Sequence, residues 1–185
     1  MADAGVSLAR LADFACKQGM ASLEFAHGIP GTVGGAVCMN AGAYDGEMKL
    51  VLKHARVISK DGANDKYMTA EELDMGYRHT ALHETGDIVV EAVFALEEGD
   101  AAEIKAKIAD LTAKRNSKQP VNFPSAGSFF KRPPGYFAGK LVQDAGLKGL
   151  TVGGAQVSEL HSGFVINIGG ATATDILQLM EIVQV

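Results

Sequence analysis

The chain has 185 residues, 47% of them apolar, and a formal net charge of −5 at pH 7. This length suits one large domain or two small ones, and the apolar fraction is enough for a real core. The negative charge argues against nucleic acid as the main partner, because a phosphate backbone requires a basic face. No apolar run approaches the ~20 residues of a membrane span. Cys16 and Cys38 indicate no disulfide framework and suit a reducing cytoplasm.

The first half of the chain reads as a helix, a glycine-rich segment and two strands. Apolar spacing predicts a helix from Ser7 to Gln18, capped by Ser7, ended by Gly19 and preceded by no strand. The segment 27–44 that follows is too rich in glycine for a stable helix interior unless close packing requires one. Strands are predicted over 53–59 and 88–96, with a turn at Asp61-Gly62 after the first.

The second half begins after the break at 97–100, and we place a domain boundary near Gly99, which divides the chain into domains 1–98 and 99–185. Asp100 is expected to cap a helix over 101–115. The later elements are an extended loop over 118–134, a short helix over 137–145, strands over 153–157 and 163–168, and a final helix capped by Thr172 or Thr174. That helix reaches Val183-Gln184-Val185 without a stop signal, so a natural terminus and a truncated chain are both open.

Glycines in the segment 27–44 could serve a ligand. Gly31, Gly34 and Gly35 lack a β-carbon, so their backbone N–H groups could approach phosphate or ring oxygens. The spacing is that of neither a Walker loop nor a GxGxxG fingerprint, and a tight turn packed under a helix is the alternative. The string of small residues from Asn40 to Tyr44 favours ligand binding, since small side chains bury little apolar surface in a core.

The stretch Pro124–Pro134 places the Ser128 hydroxyl near Lys131 and Arg132, a combination that suits an anionic substrate. Other cations are ambiguous when taken singly. Composition alone favours a surface ion pair for Arg78 with the preceding acidic residues, although a guanidinium could also face a carboxylate or oxyanion. The remaining candidates either complement a helix dipole or face an anion, and they are Arg115, Lys118, Lys148 and His161.

Two classes of site are disfavoured by spacing. No cluster of His, Cys, Asp and Glu has metal-ligand spacing, so we expect no metal. Ser128 lacks a G-x-S-x-G elbow, and the spacing of His79, His83 and His161 declares no triad, which argues against a hydrolase.

Five strings occur in order along nearly the whole chain. They are LEFAHGIPGTVGGAVCMNAGAY, MGYRHT, RNSKQPVNFPSAGSFFKRPPGYFAGKL, AGLKGLTVGGAQVSELHSGFVIN and ATATDILQLMEIVQ. Together they closely resemble the UDP-N-acetylenolpyruvoylglucosamine reductase (MurB) family, in its shorter form. The combination of GIPGTVGGAV-x-MNAGAY with PSAGS-x-FKRP is highly specific.

The resemblance implies an α+β fold with the second half of a PCMH-type (vanillyl-alcohol-oxidase-like) FAD-binding domain, followed by a reductase-specific α+β substrate domain. It implies that NADPH reduces FAD, and that the flavin then reduces the enolpyruvyl group of a UDP-sugar to UDP-N-acetylmuramate, for peptidoglycan synthesis in the cytoplasm. The small-molecule UDP-sugar is the expected partner. The oligomeric state does not follow from the sequence.

The resemblance also implies roles for individual residues. Arg78 matches the family's catalytic arginine, which stabilises an enolate-like intermediate, and Ser128 matches the serine that protonates the enol carbon. Lys118, and by looser alignment Arg115, Lys148 and His161, match the region that grips the nucleotide diphosphate, and Lys131 and Arg132 could assist. The expected flavin-binding residues are Gly28, Ile29, Pro30, Gly31, Thr32, Gly34, Gly35, Asn40, Ala41, Gly42 and Tyr44.

The chain departs from the family pattern at both ends. The family's GxGSN-type pyrophosphate loop and its C-terminal catalytic glutamate have no counterpart, and Glu159 and Glu181 lie in the wrong context. Position 79 is His where the family often has Ser. We therefore expect a fragment that is inactive alone. The alternatives are a non-catalytic UDP-sugar-binding protein and another PCMH-type flavin oxidoreductase, for which His27 would be the covalent attachment point.

Overall fold

The computed structural model describes residues 1–184, so Val185, at the apolar end discussed above, lies outside the described residues. The described chain forms two compact units, 1–113 and 114–185. Both contain helices and an antiparallel sheet, which agrees with the predicted α+β class. The division falls after the predicted boundary near Gly99, because Ile104 and Ile108 of the helix that follows Gly99 are buried within the first range.

The elements that begin in the first range are β1 (Ala2–Asp3), α1 (Leu8–Lys17), α2 (Val33–Cys38), β2 (Gly42–Ala43), β3 (Gly46–Glu47), α3 (Met48–Val51), β4 (Leu52–Ile58), β5 (Asp65–Met68), α4 (Leu82–Thr85), β6 (Ile88–Phe94) and α5 (Ala101–Lys118). The last five residues of α5 belong to the second range. A short 3-10 turn covers Glu24–Ala26. One antiparallel sheet has the order β1-β6-β4-β5, and β2 and β3 form a separate hairpin.

Local signals in the sequence explain the first helix. The Ser7 hydroxyl accepts a hydrogen bond from the Arg10 amide at 3.4 Å, which caps α1, and Gly19 follows with a left-handed φ of 66°. The apolar side of the helix is buried, as predicted. The expectation that no strand precedes it is wrong, because Ala2 and Asp3 pair with Ala92 and Glu91 of β6. Two residues are too few to show a strand pattern.

The glycine-rich segment does contain a helix, α2, and close packing explains it. A β-carbon on Gly34 would lie 2.8 Å from the β-carbon of Ala4, so only glycine allows the helix to approach the β1 end so closely. Val33, Ala36 and Val37 are buried in the core of the unit. We predicted a helix in segment 27–44 only if close packing required glycine there. The contact of Gly34 with Ala4 meets this condition.

The second range contains β7 (Ser125–Ser128), α6 (Ala138–Asp144), β8 (Thr151–Val152), β9 (Ala155–Val157), β10 (Phe164–Asn167) and α7 (Ala173–Gln184). Its antiparallel sheet has the order β7-β10-β9-β8. The prediction of an extended loop over 118–134 is wrong in part, because α5 continues to Lys118 and Ser125–Ser128 pairs with β10. A four-residue strand at a sheet edge with small side chains carries no apolar alternation to reveal it.

A small core holds the second range together. Val142, Ala155, Val157 and Leu179 are buried and form its centre. Helix α7 is capped by Thr172, whose hydroxyl accepts from the Asp175 amide at 3.1 Å while the Asp175 carboxylate accepts from the Thr172 amide at 2.8 Å. This reciprocal pair is a capping box, and it confirms Thr172 rather than Thr174 as the cap.

Candidate functional site

The loop before α2 is open to a ligand at Gly31. Pro30, Gly31 and Thr32 are exposed, whereas Gly28 and Ile29 are half-buried. Gly31 has a φ of 141°, a conformation that favours glycine, and nothing lies within 4 Å of the position that a β-carbon would take. The Thr32 side chain makes no capping bond to α2. The exposed loop can therefore bring main-chain groups against a bound molecule.

The amides at the start of α2 are not available to a ligand. Val33 N–H donates to the Val6 carbonyl at 2.8 Å, and Gly34 N–H donates to the Ala4 carbonyl at 2.9 Å. The expectation that the Gly34 amide is exposed to phosphate is therefore wrong, because the chain segment before α1 takes that hydrogen bond. Gly35 is exposed, and a β-carbon placed on it would have only the Thr32 hydroxyl within 4 Å, at 3.8 Å.

Asn40 lies at the centre of a polar network. It is fully buried, with an exposed fraction of 0%. Its amide nitrogen donates to a Glu47 carboxylate oxygen at 3.1 Å and to the Gly76 carbonyl at 2.9 Å, and its amide oxygen accepts from the Lys49 N–H at 2.9 Å. Asn40 thus joins the end of α2, the β2–β3 hairpin and the turn that contains Arg78.

The hairpin beside Asn40 has an unusual loop. Gly42 pairs with Glu47 and Ala43 with Gly46, which leaves Tyr44 and Asp45 as the two loop residues. Both have left-handed backbone, with φ of 51° and 65°, as a tight hairpin loop of the primed type requires. Tyr44 is 40% exposed, whereas Ala41 is buried. Of the string from Asn40 to Tyr44, the Tyr44 ring is therefore best placed to meet a ligand.

Arg78 occupies a turn closed by two backbone hydrogen bonds between Gly76 and His79, of 3.0 and 3.3 Å. Its φ is 52°, a left-handed value that is uncommon for a non-glycine residue. Nη1 donates to the Asn40 carbonyl at 3.1 Å and Nη2 to the Gly42 carbonyl at 2.6 Å. These contacts do not support a surface ion pair between Arg78 and the acidic residues before it. The groups that orient the guanidinium are main-chain carbonyls.

Neighbouring residues fix the end of this turn. The buried Thr80 hydroxyl donates to the Cys38 carbonyl at 2.7 Å. The His79 and His83 rings stack, with centroids 5.5 Å apart. His79 also lies 3.6 Å from the Glu84 carboxylate. These contacts tie the Arg78 turn to α2 and α4.

Ser128 lies at the end of β7 in the second range, opposite Phe164 of β10. The residue is exposed, and the preceding Gly127 has a φ of 90°. Phe129 N–H then donates to the Gly163 carbonyl at 2.8 Å. The strand register therefore holds the Ser128 hydroxyl on an accessible edge, where it can reach a bound molecule.

The predicted cations of this range are mostly exposed. Lys118, Lys131 and Lys148 are exposed, and Arg115 is half-buried in the last turn of α5. The Arg132 guanidinium lies 5.1 Å from the centroid of the Phe137 ring. Exposed ammonium groups on flexible stems can contact an anion, and their roles in binding the nucleotide stay predictions.

His161 is oriented by its own loop. Its Nδ1 accepts from the Gly163 N–H at 3.1 Å, and its ring meets Phe164 edge-on at 5.0 Å. The Ser158 hydroxyl accepts from the Leu160 and His161 amides at 3.2 and 3.3 Å. The adjacent Ser162 hydroxyl is buried and has no hydrogen-bond partner among the described residues. Only the fold could reveal Ser162, since nothing in the string HSGF distinguishes it.

Sequence reasoning missed Glu47 and Gly76, which are the acceptors for the Asn40 amide. Neither a Glu in a hairpin nor a glycine carbonyl gives a sequence signal. Within residues 1–184, no group of three or more His, Cys, Asp and Glu residues is arranged to hold a metal ion. Across the same residues no helix combines the length and apolar character that crossing a membrane requires.

Two models of known protein families match separate parts of the chain. The model of the FAD binding domain matches residues 1–64. The model of the C-terminal domain of UDP-N-acetylenolpyruvoylglucosamine reductase matches residues 119–185. The chain is therefore an FAD-binding-domain protein that also carries a reductase-type C-terminal domain, and the predicted fold class is confirmed.

Individual relatives extend the match to nearly the whole chain. UDP-N-acetylenolpyruvoylglucosamine reductase of Clostridium perfringens strain SM101 is 57% identical over 183 residues, which are 99% of this chain and 60% of that protein. The reductase of Geobacillus thermodenitrificans is 54% identical over 184 residues, or 100% of this chain and 60% of that protein. The crystal structure of MurB from Thermus caldophilus aligns with a TM-score of 0.89 at 41% identity, covering 98% of this chain and 66% of that one.

The chain belongs to the UDP-N-acetylenolpyruvoylglucosamine reductase (MurB) family, as the resemblance predicted. It spans about 60% of the length of the relatives named above. The exposed, unobstructed backbone at Gly31 and the exposed Tyr44 ring are compatible with a flavin beside this loop.

Proposed function

We propose that this chain takes part in the FAD-dependent, NADPH-linked reduction of UDP-N-acetylglucosamine enolpyruvate to UDP-N-acetylmuramate, in peptidoglycan precursor synthesis. The observation that carries the proposal is the Arg78 guanidinium, which two main-chain carbonyls hold in a fixed plane on a strained turn. Family membership supports the substrate class. Both cysteines are free thiols, which suits action in the cytoplasm.

Arg78 would stabilise the negative charge that develops on the enolpyruvyl group. Two of its five N–H donors are taken by the carbonyls of Asn40 and Gly42, and the others are left for a carboxylate or enolate oxygen. Because the cation is oriented before the substrate arrives, little reorganisation is needed as charge builds up. A guanidinium suits this task through its planar fork.

Ser128 would give the proton to the enol carbon. Its position at the exposed end of β7 allows contact with the substrate, and Lys131 and Arg132 follow within four residues. A serine hydroxyl is a weak acid, so nearby positive charge would help it to release the proton. The nucleotide diphosphate would contact Lys118, Arg115, Lys148 and His161.

The residues proposed to hold the flavin are Gly28, Ile29, Pro30, Gly31, Thr32, Gly35 and Tyr44. Bound FAD would supply the two-electron reduction itself. The chain's contribution is to place main-chain groups of the Gly28–Thr32 loop against the cofactor. Gly34, Ala41 and Gly42 would support this surface from within, since their amide or carbonyl groups already bond inside the unit or are buried.

The test is to purify the 185-residue chain, record its visible absorbance for bound flavin, and follow NADPH oxidation with and without the enolpyruvyl UDP-sugar. Flavin binding and substrate-dependent oxidation together support the proposed activity and contradict the expectation that the chain is inactive alone. Binding of the UDP-sugar without flavin and without turnover supports the non-catalytic alternative. Flavin-dependent oxidation that ignores the UDP-sugar indicates a different flavin oxidoreductase.

A further inference from the structure

Asn40 is grouped with the flavin-binding residues by sequence, but its side chain has no capacity left for a cofactor. Both hydrogens of its amide nitrogen are engaged, one by Glu47 and one by the Gly76 carbonyl. Its amide oxygen accepts from Lys49. With an exposed fraction of 0%, the side chain also cannot be reached from solvent. Its role must lie inside the protein.

The hydrogen bonds of Asn40 and Arg78 are reciprocal. The Asn40 side chain donates to Gly76, the first residue of the turn that contains Arg78. In the opposite direction, the Arg78 side chain donates to the main-chain carbonyl of Asn40 at 3.1 Å. Asn40 therefore sets both the backbone of the turn and one of the two acceptors that orient the guanidinium.

Backbone strain is concentrated in the two segments that this exchange joins. The non-glycine residues with positive φ among residues 1–184 are Ser22, Asn40, Tyr44, Asp45, Asp74 and Arg78. All except Ser22 lie in 40–45 or in 74–78. Such conformations are sparsely populated and persist only where surrounding contacts over-determine them. The buried Asn40 side chain links the two segments, together with the two hydrogen bonds that the Arg78 guanidinium donates.

We propose that Asn40 is the positioning residue of Arg78, which it holds in its left-handed turn with the guanidinium plane against the hairpin. The proposal rests on the function proposed above for Arg78, and it removes Asn40 from the flavin-contacting set. Its hydrogen bonds to Gly76 and Glu47 join the turn to the hairpin. Its own main-chain carbonyl accepts the hydrogen bond from Nη1 of Arg78.

Nuclear magnetic resonance of the ¹⁵N-labelled chain tests this directly, through the Nε–H signal of Arg78. An Arg78→Lys variant assigns that signal. In the unmodified chain we expect it to be shifted from the solvent-exposed arginines and to exchange slowly with water, because the guanidinium is held on both Nη atoms. An Arg78 signal that coincides with the exposed arginines in the unmodified chain would overturn the proposal.

Two variants separate the side chain of Asn40 from its backbone. Asn40→Gly removes all side-chain bonds while tolerating the left-handed φ of 40°. Asn40→Asp keeps the shape and the acceptor for Lys49 but loses both donors and meets the Glu47 carboxylate. In each we expect the Arg78 Nε–H to exchange at least about tenfold faster, as the loss of a buried hydrogen bond predicts. An unchanged Arg78 signal in either folded variant contradicts the proposal.

Asn64→Asp is the matched control, because Asn64 is exposed in the turn after β4. It should leave the Arg78 signal and the backbone spectrum unchanged. The readout needs neither cofactor nor substrate, so it can be separated from the proposed function. Absence of turnover with a protected Arg78 signal would count against the function alone, whereas an unprotected signal in an active preparation would count against the positioning role alone.

Discussion

A β-carbon on Gly34 would lie 2.8 Å from the β-carbon of Ala4, whereas one on Gly35 would meet nothing closer than the Thr32 hydroxyl at 3.8 Å. Two adjacent glycines of α2 thus have opposite environments. Gly34 is required by packing against the segment after β1. Gly35 faces outward and is not required by packing.

The first prediction is that Gly34→Ala and Gly35→Ala change stability in opposite directions. Gly34→Ala forces the helix away from Ala4 and should cost about 1–3 kcal/mol, as overpacking does. Gly35→Ala should stabilise α2 by about 0.5–1 kcal/mol, because alanine is the better helix former. Urea unfolding of both variants measures this. Equal destabilisation by both would show that the glycines act through something other than contact with Ala4.

The second prediction concerns the geometry of the Arg78 cation. Arg78→Lys keeps the charge, but an ammonium cannot reproduce a planar fork that spans the Asn40 and Gly42 carbonyls. In a flavin-loaded preparation that turns over the enolpyruvyl UDP-sugar, we expect kcat to fall by about 100-fold or more. Arg56→Lys is the control, because Arg56 pairs with Asp65 on the exposed sheet. Retained turnover in Arg78→Lys would show that the planar fork of the guanidinium is not required.

The third prediction is that Ser128→Ala lowers turnover by about 10²–10⁴-fold, as loss of a proton donor does. The melting temperature should not change, since Ser128 is exposed and its strand pairing is made by the backbone. Ser125→Ala, at the other end of β7, should leave turnover intact. If the two variants behave alike in turnover, Ser128 is not the proton donor.

The fourth prediction is a pH dependence at the cap of α7. Hydrogen bonds from the Thr172 amide and hydroxyl, and then from Gly154, lower the pKa of Asp175 below its ordinary 3.8. Because the folded pKa is the lower one, the stabilisation is complete above the ordinary value and is lost as pH falls through the lowered pKa.

Asp175→Asn should therefore destabilise the second range at neutral pH, and the difference from the unmodified chain should shrink as the pH falls below the ordinary pKa of 3.8 and through the lowered pKa of Asp175. Thermal unfolding across this range measures it. Asp144→Asn removes only an exposed pair with Lys140 and serves as the control. A difference that stays constant with pH would mean that the Asp175 charge does not stabilise the cap.

The fifth prediction contrasts two serines of the His161 loop. Ser162 buries a hydroxyl without a described partner, so Ser162→Ala should be neutral or stabilise by up to about 1 kcal/mol. Ser158→Ala removes the acceptor for the Leu160 and His161 amides and should cost about 1–3 kcal/mol. Denaturant midpoints compare them. Substantial destabilisation by Ser162→Ala would reveal a bound water or ligand group at that hydroxyl.

Elements with strong local signals were predictable. The Ser7 and Asp100 caps, the period of α1 and the β-branched run of β6 place those elements within a few residues of their observed ends. Strands β1 and β7 were not predictable, because their few residues are held by pairing with distant strands rather than by their own apolar pattern.

The candidate site divides in the same way. The resemblance to the family points to Arg78 and Ser128, since composition alone favours a surface ion pair for Arg78. The missing β-carbon of Gly31 points to a close backbone approach. Assigning Asn40 to the flavin followed from its place in a small-residue string. Its actual neighbours, Glu47 and Gly76, are brought to it only by the hairpin and by the turn.

The sequence by itself determined the family, the α+β class and the residue types that could bind an anionic sugar nucleotide, because motifs and periodicity are local properties of the chain. The tertiary structure alone decided that Gly34 packs on Ala4, that its amide is occupied and that Arg78 is held by main-chain carbonyls. These are contacts between segments 30 or more residues apart. The partners of the Gly34 amide and of the Arg78 guanidinium are backbone atoms, which every residue possesses and which therefore leave no mark in the sequence.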